Sequence, residues 1–393
     1  MAKLTVKDLE LKDKKVLLRC DFNVPQDENL NITDDTRIRA SLATINYILS
    51  QCPKKLILIS HLGRPDGKVA AKYSLKPVAQ RLRELLGREV KMLADCVGET
   101  VKKDIDRAQE TVVLLENLRF HPEEEKNDPE FSRSLASLAD VFVNDAFGTA
   151  HRAHGSTEGV THYLKSASGL LLEKEINYLG SVLEKPKKPF VVILGGAKVS
   201  DKIMVIENLL PKADEIIIGG GMCYTFLKAQ GRQIGNSKLE KDKIDLARDI
   251  LAQAKKHKIK ISLPIDNLVT DKIGAGSKVE IVGEDIPDGL MGVDIGPKTI
   301  ENYCADLKTA QTIVWNGPLG IFEIDAFANG TKKVAEFISK LKAVTIIGGG
   351  DTAAAISKFG LADKMTHIST GGGASLEFLE GKILPGIAAL TDK

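Results

Sequence analysis

The chain has 393 residues, too many for one ordinary hydrophobic core, so two domains are expected. With 43% of residues apolar, 27% charged and a net charge of only +2, it has the composition of a globular protein and lacks the basic field that nucleic acid requires. No apolar run is long enough to span a membrane, the first residues carry no apolar signal core, and five widely spaced cysteines form no CxxC pair, so a reducing cytoplasm is the expected location.

In chain order, short apolar runs alternate with amphipathic helical patterns. The first half has runs at 16–19, 56–60, 112–116 and 141–143, and the second at 190–194, 215–218, 259–263, 312–315, 344–347 and 367–369. Each is short and rich in leucine or β-branched residues, as strands buried on both faces should be. Helical stretches lie between them, such as Leu75, Val78, Ala79, Leu82, Leu85 and Leu86, stopped by Gly87. This alternation predicts an α/β protein of two doubly wound, Rossmann-like parallel sheets. A helix over 170–183, with Leu171, Leu172, Ile176, Leu179 and Leu183 on one face, runs into Lys185-Pro186-Lys187-Lys188-Pro189. The domain boundary is expected near 169–189, with this helix as a hinge.

Ligands of open parallel sheets bind at the carboxyl ends of the strands, so the residues after each run are the informative ones. In the first half they are Asp21-Phe22-Asn23, His61-Leu62-Gly63-Arg64, Asn117-Leu118-Arg119 and Asn144-Asp145-Ala146-Phe147-Gly148, with Arg152 shortly after and Arg37 in the loop following the first strand. Of 13 arginines, 11 precede Gly195. A rim of guanidinium and imidazole groups suits a small, multiply anionic ligand, because the planar arginine fork matches carboxylate and phosphate oxygens.

In the second half the strand ends are glycine-rich: Gly195-Gly196-Ala197-Lys198, Gly219-Gly220-Gly221, Asn316-Gly317-Pro318-Leu319-Gly320, Gly348-Gly349-Gly350-Asp351-Thr352 and Gly371-Gly372-Gly373. Without a Cβ, backbone N–H groups can approach an anion closely, and a helix starting at such a turn adds its positive dipole end. Five such turns are hard to explain by packing and point to a nucleotide or polyphosphate cradle. Lys198 and Lys202, one helical turn apart, are placed to reach phosphates from a helix N-terminus. Asp351 is either a helix cap or a Mg²⁺ ligand, and Glu323 either a ribose acceptor or a surface carboxylate. There is no GxxxxGK[ST] loop, no GxGxxG opening either half, no protein-kinase signature, and no HExxH or Cys/His ligand cluster for zinc.

The segments RCDFNVP (19–25), TRIRA (36–40), SHLGRP (60–65), ENLRF (116–120), NDAFGTAHRAH (144–154), GGAKVSDKI (195–203), GGGM (219–222), WNGPLGIFE (315–323), GGGDT (348–352) and STGGGAS (369–375) resemble the phosphoglycerate kinase family, in order, across nearly the whole chain. The resemblance implies a monomer with a 3-phosphoglycerate-binding domain (1–170 plus about 377–393), a hinge helix and linker (171–189) and a nucleotide-binding domain (190–376). It implies that Asp21, Phe22, Asn23, Arg37, His61, Leu62, Gly63, Arg64, Arg119 and Arg152 bind 3-phosphoglycerate or 1,3-bisphosphoglycerate. Gly196, Ala197, Lys198, Lys202, Gly219, Gly220, Gly292, Asn316, Pro318, Glu323, Gly349, Gly350, Asp351, Thr352, Gly372 and Gly373 would bind ATP or ADP. Asp351 would hold Mg²⁺, and Arg37 and Lys198 would act on the phosphoryl group in transfer. A carboxylate acceptor is already ionised at neutral pH, so transfer to it requires no general base, in keeping with the lack of a His–Asp dyad in these motifs. A rival reading, a two-lobed binding protein for an anionic metabolite, explains the arginine rim but not Lys198, Lys202 and Asp351 beside the glycines.

Overall fold

The structure is a computed structural model that describes residues 3–274 and 276–393. It divides into two compact units, one of Met1–Asn177 with Ile383–Lys393, the other of Tyr178–Lys382.

The first unit is built on β1 (Lys15–Arg19), β2 (Lys55–Ile59), β3 (Val90–Met92), β4 (Val112–Leu114), β5 (Val141–Asn144) and β6 (Ser166–Ser168). They form one parallel sheet in the order β3-β4-β2-β1-β5-β6. The central strands are buried along their length because helices cover both faces. Helix Thr36–Ser50, for example, buries Ile38, Ser41, Ile45 and Ile48 at three- and four-residue spacing. Helix Lys76–Leu86 ends on Gly87, whose φ of 61° is the left-handed cap that favours glycine. The edge strands β3 and β6 escape the sequence pattern: one alternates Val-Lys-Met and the other reads Ser-Ala-Ser, so neither is an apolar run.

The C-terminal segment closes this unit. Gly386 N–H donates to Ala150 O at 2.9 Å, Asn144 Nδ2 donates to Gly386 O at 3.1 Å, and Lys3 Nζ donates to Ala388 O and Leu390 O. Helix Leu170–Glu184 begins where β6 ends, and Asp145 fixes its start by accepting from Leu171 N and Leu172 N.

The second unit has β7 (Phe190–Leu194), β8 (Glu215–Ile218), β9 (Lys260–Ser262), β10 (Asn267–Thr270), β11 (Glu280–Val282), β12 (Met291–Ile295), β13 (Thr312–Asn316), β14 (Val344–Gly348) and β15 (His367–Ile368). Six of them make a parallel sheet, β15-β14-β13-β7-β8-β9, and β11-β10-β12 make a small antiparallel sheet that the run pattern does not predict. Its strand β11 is mostly exposed, so selection for continuous apolar residues is absent there. The parallel sheet packs around fully buried Trp315, with Ile193, Ile313, Ile347, Val334 and Tyr303 in the same cluster. In both units the chain reverses direction across the sheet, between β1 and β5 and between β7 and β13. A crevice forms outside the carboxyl ends of strands at such a reversal.

Candidate active site

In the first unit, the residues after β1, β2 and β4 are tied into one constellation. Arg37 NH1 donates to both carboxylate oxygens of Asp21 at 3.3 and 3.1 Å and to Asn23 O at 3.1 Å. Arg37 sits in the first turn of helix Thr36–Ser50, not in the loop before it, because the helix starts directly after Asp35. Asn23 Oδ1 accepts from Gly63 N at 2.8 Å, and Arg119 NH1 donates to Gly63 O at 2.9 Å. Asn117 Nδ2 fixes the same loop by donating to Leu62 O at 2.7 Å. The Phe22 and Leu62 side chains lie inside the hydrophobic core, so only their backbones are available to a ligand. Arg64 and Arg152 are exposed, and Arg64 has no hydrogen-bond or ion-pair partner among the described residues.

Beneath this rim lies a buried layer, of which the sequence singles out only His61 as a ligand-facing residue. Arg19, the last residue of β1, is fully buried. Its Nε donates to Ser156 Oγ at 2.8 Å, NH1 donates to Cys20 O, and NH2 lies 3.2 Å from His61 Nδ1. Ser156 donates from N and Oγ to the fully buried carboxylate of Glu124, at 2.8 and 2.5 Å. Burial pushes Glu124 up and Arg19 down from their ordinary pKa values, and each charge opposes the shift of the other. Burial, reinforced by Arg19, Arg119 and Arg37, holds His61 well below its usual range, while burial and Arg119 take His154 down to about 3. Both rings are therefore neutral near pH 7. Since a guanidinium can only donate, His61 Nδ1 is the acceptor and its proton sits on Nε2. The positive charge of the rim thus comes from arginines alone.

In the second unit, three loops after β7, β8 and β13 interlock through their backbones. Gly195 N donates to Asn316 O, Gly196 N to Pro318 O and Gly220 N to Leu319 O, at 2.9–3.0 Å. A Cβ on Gly317 would lie 2.2 Å from Gly195 O, and one on Gly195 would lie 2.2 Å from Pro318 O. Close packing of loop on loop therefore explains part of the glycine pattern, contrary to the expectation that packing could not. Other glycines are different: a Cβ on Gly350 or Gly372 would meet nothing within 4 Å. Gly349, with φ 85°, caps helix Gly350–Lys358, which carries Asp351 and Thr352 in its first turn. Asp351 is thus a first-turn residue and not the cap. It is exposed and has no hydrogen-bond or ion-pair partner among the described residues. Thr352 Oγ1 accepts from Gly317 N at 2.6 Å and joins this helix to the interlocked loops.

Lys198 and Lys202 do not share a helix. Glu240 accepts from Val199 N, Ser200 N and Ser200 Oγ, which holds residues 195–202 in an irregular turn, and the helix starts at Ile203. Lys198 is exposed with no hydrogen-bond or ion-pair partner among the described residues. Lys202 is half-buried and donates to Asn316 Oδ1, and burial pulls its pKa down against the carboxylates of Asp201 and Asp351. Asn316 Nδ2 is buried without a partner. It lies beside Gly349, at the N-terminus of helix Gly350–Lys358, where a donor and the helix dipole suit an anion.

Gly219 and Gly220 follow β8, Ala197 follows Gly196 in the exposed part of its turn, and Gly372 and Gly373 start the short helix after β15. Gly292 is not at a parallel-strand end but inside β12. A Cβ there would collide with the Tyr224 hydroxyl, while the neighbouring Val293 O accepts from Ile321 N at 3.0 Å and joins β12 to the Asn316–Glu323 loop. Glu323 is exposed on that loop.

The comparisons with known proteins agree with one another. The family model described as phosphoglycerate kinase matches residues 6–382. A phosphoglycerate kinase of Pelotomaculum thermopropionicum is 57% identical over 395 residues, covering 100% of both chains. Among solved structures, phosphoglycerate kinase from Coxiella burnetii superposes with a TM-score of 0.89 at 41% identity, and that from Pyrococcus horikoshii with 0.84 at 33%, each over 98% of both chains. The chain belongs to the phosphoglycerate kinase family.

Proposed function

We propose that this chain catalyses reversible, Mg²⁺-dependent transfer of a phosphoryl group between ATP and the carboxylate of 3-phosphoglycerate, giving ADP and 1,3-bisphosphoglycerate, as a cytoplasmic monomer. The acid is assigned to the arginine rim of the first unit, with Arg37, Arg64, Arg119 and Arg152 facing its charges and neutral His61 offering Nε2–H. The nucleotide is assigned to the second unit. There Lys202, Asn316 Nδ2 and the N-terminus of helix Gly350–Lys358 receive phosphate oxygens, and Glu323 and the β12 loop receive the nucleoside. The unpaired Asn316 amide beside the open glycines carries this reading.

Asp351 fits a hard cation that takes few protein ligands: an exposed, unpaired carboxylate beside the proposed phosphate site. Asp351 would hold Mg²⁺ there, which would supply neutralisation of nucleotide phosphate charge. Because the acceptor is a carboxylate, no residue has to remove a proton. What remains for the protein is alignment, worth up to roughly 7–11 kcal/mol, and donors aimed at the migrating group, a role assigned to Lys198 and Arg37. Transfer also requires that water be kept from intercepting the phosphoryl group. A non-catalytic binding protein is not favoured, since the whole chain matches a kinase family. A coupled assay with ATP, Mg²⁺ and 3-phosphoglycerate tests the proposal. ADP release is expected only when the acid is present; ATP consumption indifferent to the acid, or none at all, contradicts it.

A further inference from the structure

One group of metal-ligand side chains in the first unit belongs to neither strand-end cluster. Asp95 and Cys96 follow β3, and His121 follows the short turn Leu118–Phe120 beyond β4. His121 is 25 positions after Cys96 in the sequence, so no ligand spacing announces them, but β3 and β4 are neighbours and both segments leave the same end of the sheet.

One ligand atom from each residue lies within 4.8 Å of the other two. His121 Nε2 is 2.6 Å from Asp95 Oδ1, and Cys96 N–H donates to that same oxygen at 2.7 Å, which holds the carboxylate beside the thiol. Cys96 is fully buried, His121 half-exposed and Asp95 exposed, so the cluster is closed on the protein side and open to solvent on the other. The Phe131 ring, 5.6 Å from the imidazole centroid, limits how His121 can turn. A His–Asp hydrogen bond accounts for two of the three residues but not for a thiol converging on them.

We propose that Asp95, Cys96 and His121 form a site for a thiophilic divalent cation of the Zn²⁺ class, with water as fourth ligand. Sulfur, imidazole and carboxylate donors in a tetrahedral set select Zn²⁺ over Mg²⁺, which takes six oxygens. Metal–ligand bonds of about 2.0–2.3 Å place ligand atoms roughly 3.3–3.8 Å apart. His121 and Asp95 therefore separate slightly around the ion, and the thiol moves inward by at most about 1.5 Å. On binding, the Cys96 thiol proton leaves to solvent, and His121 Nε2, which bonds to Asp95 in the metal-free protein, gives up its hydrogen to bind the metal while the ring carries its single proton on Nδ1. The site charge changes from −1 to 0 as the metal adds +2 and one proton departs.

Titration of the purified full-length protein with Co²⁺, followed by displacement with Zn²⁺, tests the site independently of kinase activity. The expected result is one equivalent of four-coordinate cobalt with a thiolate-to-cobalt absorption band, reversed by Zn²⁺. Cys96→Ser removes the thiolate band, Asp95→Asn and His121→Asn each weaken binding about tenfold or more, and Cys52→Ser, at an exposed cysteine, changes nothing. The two polar substitutions lie outside the core and keep the test decisive should Cys96→Ser fold poorly. A wild-type spectrum without a thiolate band, a band that survives in Cys96→Ser or disappears in Cys52→Ser, or undiminished binding by both polar variants overturns the proposal.

Discussion

Replacing Lys198 by alanine should lower kcat by about 10²–10³-fold while leaving the melting temperature and the affinity for nucleotide nearly unchanged. The reason is the combination of position and isolation. Lys198 stands in the turn after β7, exposed and bonded to no described residue, so its removal breaks no structural contact. Its proposed partner is the migrating phosphoryl group, whose charge is redistributed only during transfer, and a donor used mainly there affects kcat more than binding. Arg37→Ala should reduce kcat comparably but also raise KM for the acid, since Arg37 holds Asp21 and the Asn23 carbonyl in place. Steady-state kinetics with thermal melts separate the two. A Lys198→Ala enzyme turning over near the wild-type rate would remove Lys198 from the chemistry.

The second large effect is on stability. Glu124→Ala should destabilise the first unit by about 3–5 kcal/mol, because it strips the fully buried Arg19 of its principal countercharge. It also leaves Ser156 without the acceptor for two hydrogen bonds. Glu124→Gln, which retains an acceptor but not the charge, should fall between the variant and wild type. The measurement has to report on the first unit. The single tryptophan, Trp315, lies in the second, so hydrogen exchange of β1 and β2 amides is a better probe than fluorescence. Unchanged exchange in Glu124→Ala would mean that Arg19 is neutralised by other groups.

The contrast between these two residues shows what the sequence could reveal. Lys198 was legible because buried parallel strands are continuous apolar runs, and whatever follows such a run stands at the ligand-facing edge. The same rule located Asp21, His61, Arg119, Asn316 and Asp351. Glu124 was not legible: in Pro122-Glu123-Glu124-Glu125 it looks like one of several solvated acids opening a helix, and only the fold turns it toward Arg19. Arg19 did leave a trace, as a charge closing the apolar run of β1, but its burial depends on Ser156, which is 137 positions away.

The helix expected to carry Lys198 and Lys202 failed for a similar reason. Local spacing favoured it, and Glu240, more than 35 positions downstream, satisfies the backbone donors of an alternative turn. The glycines divide along the same line. Which of them serve loop packing and which leave space for a ligand follows from which loops become neighbours, as with Gly195 against Gly317 and Gly350 against nothing. Edge strand β11 is mostly exposed and lacks the double-sided burial that writes a strand into a sequence, whereas β6 is buried but reads Ser-Ala-Ser, its serines bonding to Thr391 and Leu4 from the two ends of the chain.

On the proposed function, the phosphoryl group lands on a carboxylate that needs no base to activate it. Carrying out the reaction with ATP, Mg²⁺ and 3-phosphoglycerate in the presence of hydroxylamine tests this directly, because an acyl phosphate is captured as a hydroxamate and a phosphate ester is not. Hydroxamate formed in equal amount to the ADP released is the predicted result; ADP released with no hydroxamate would contradict the account.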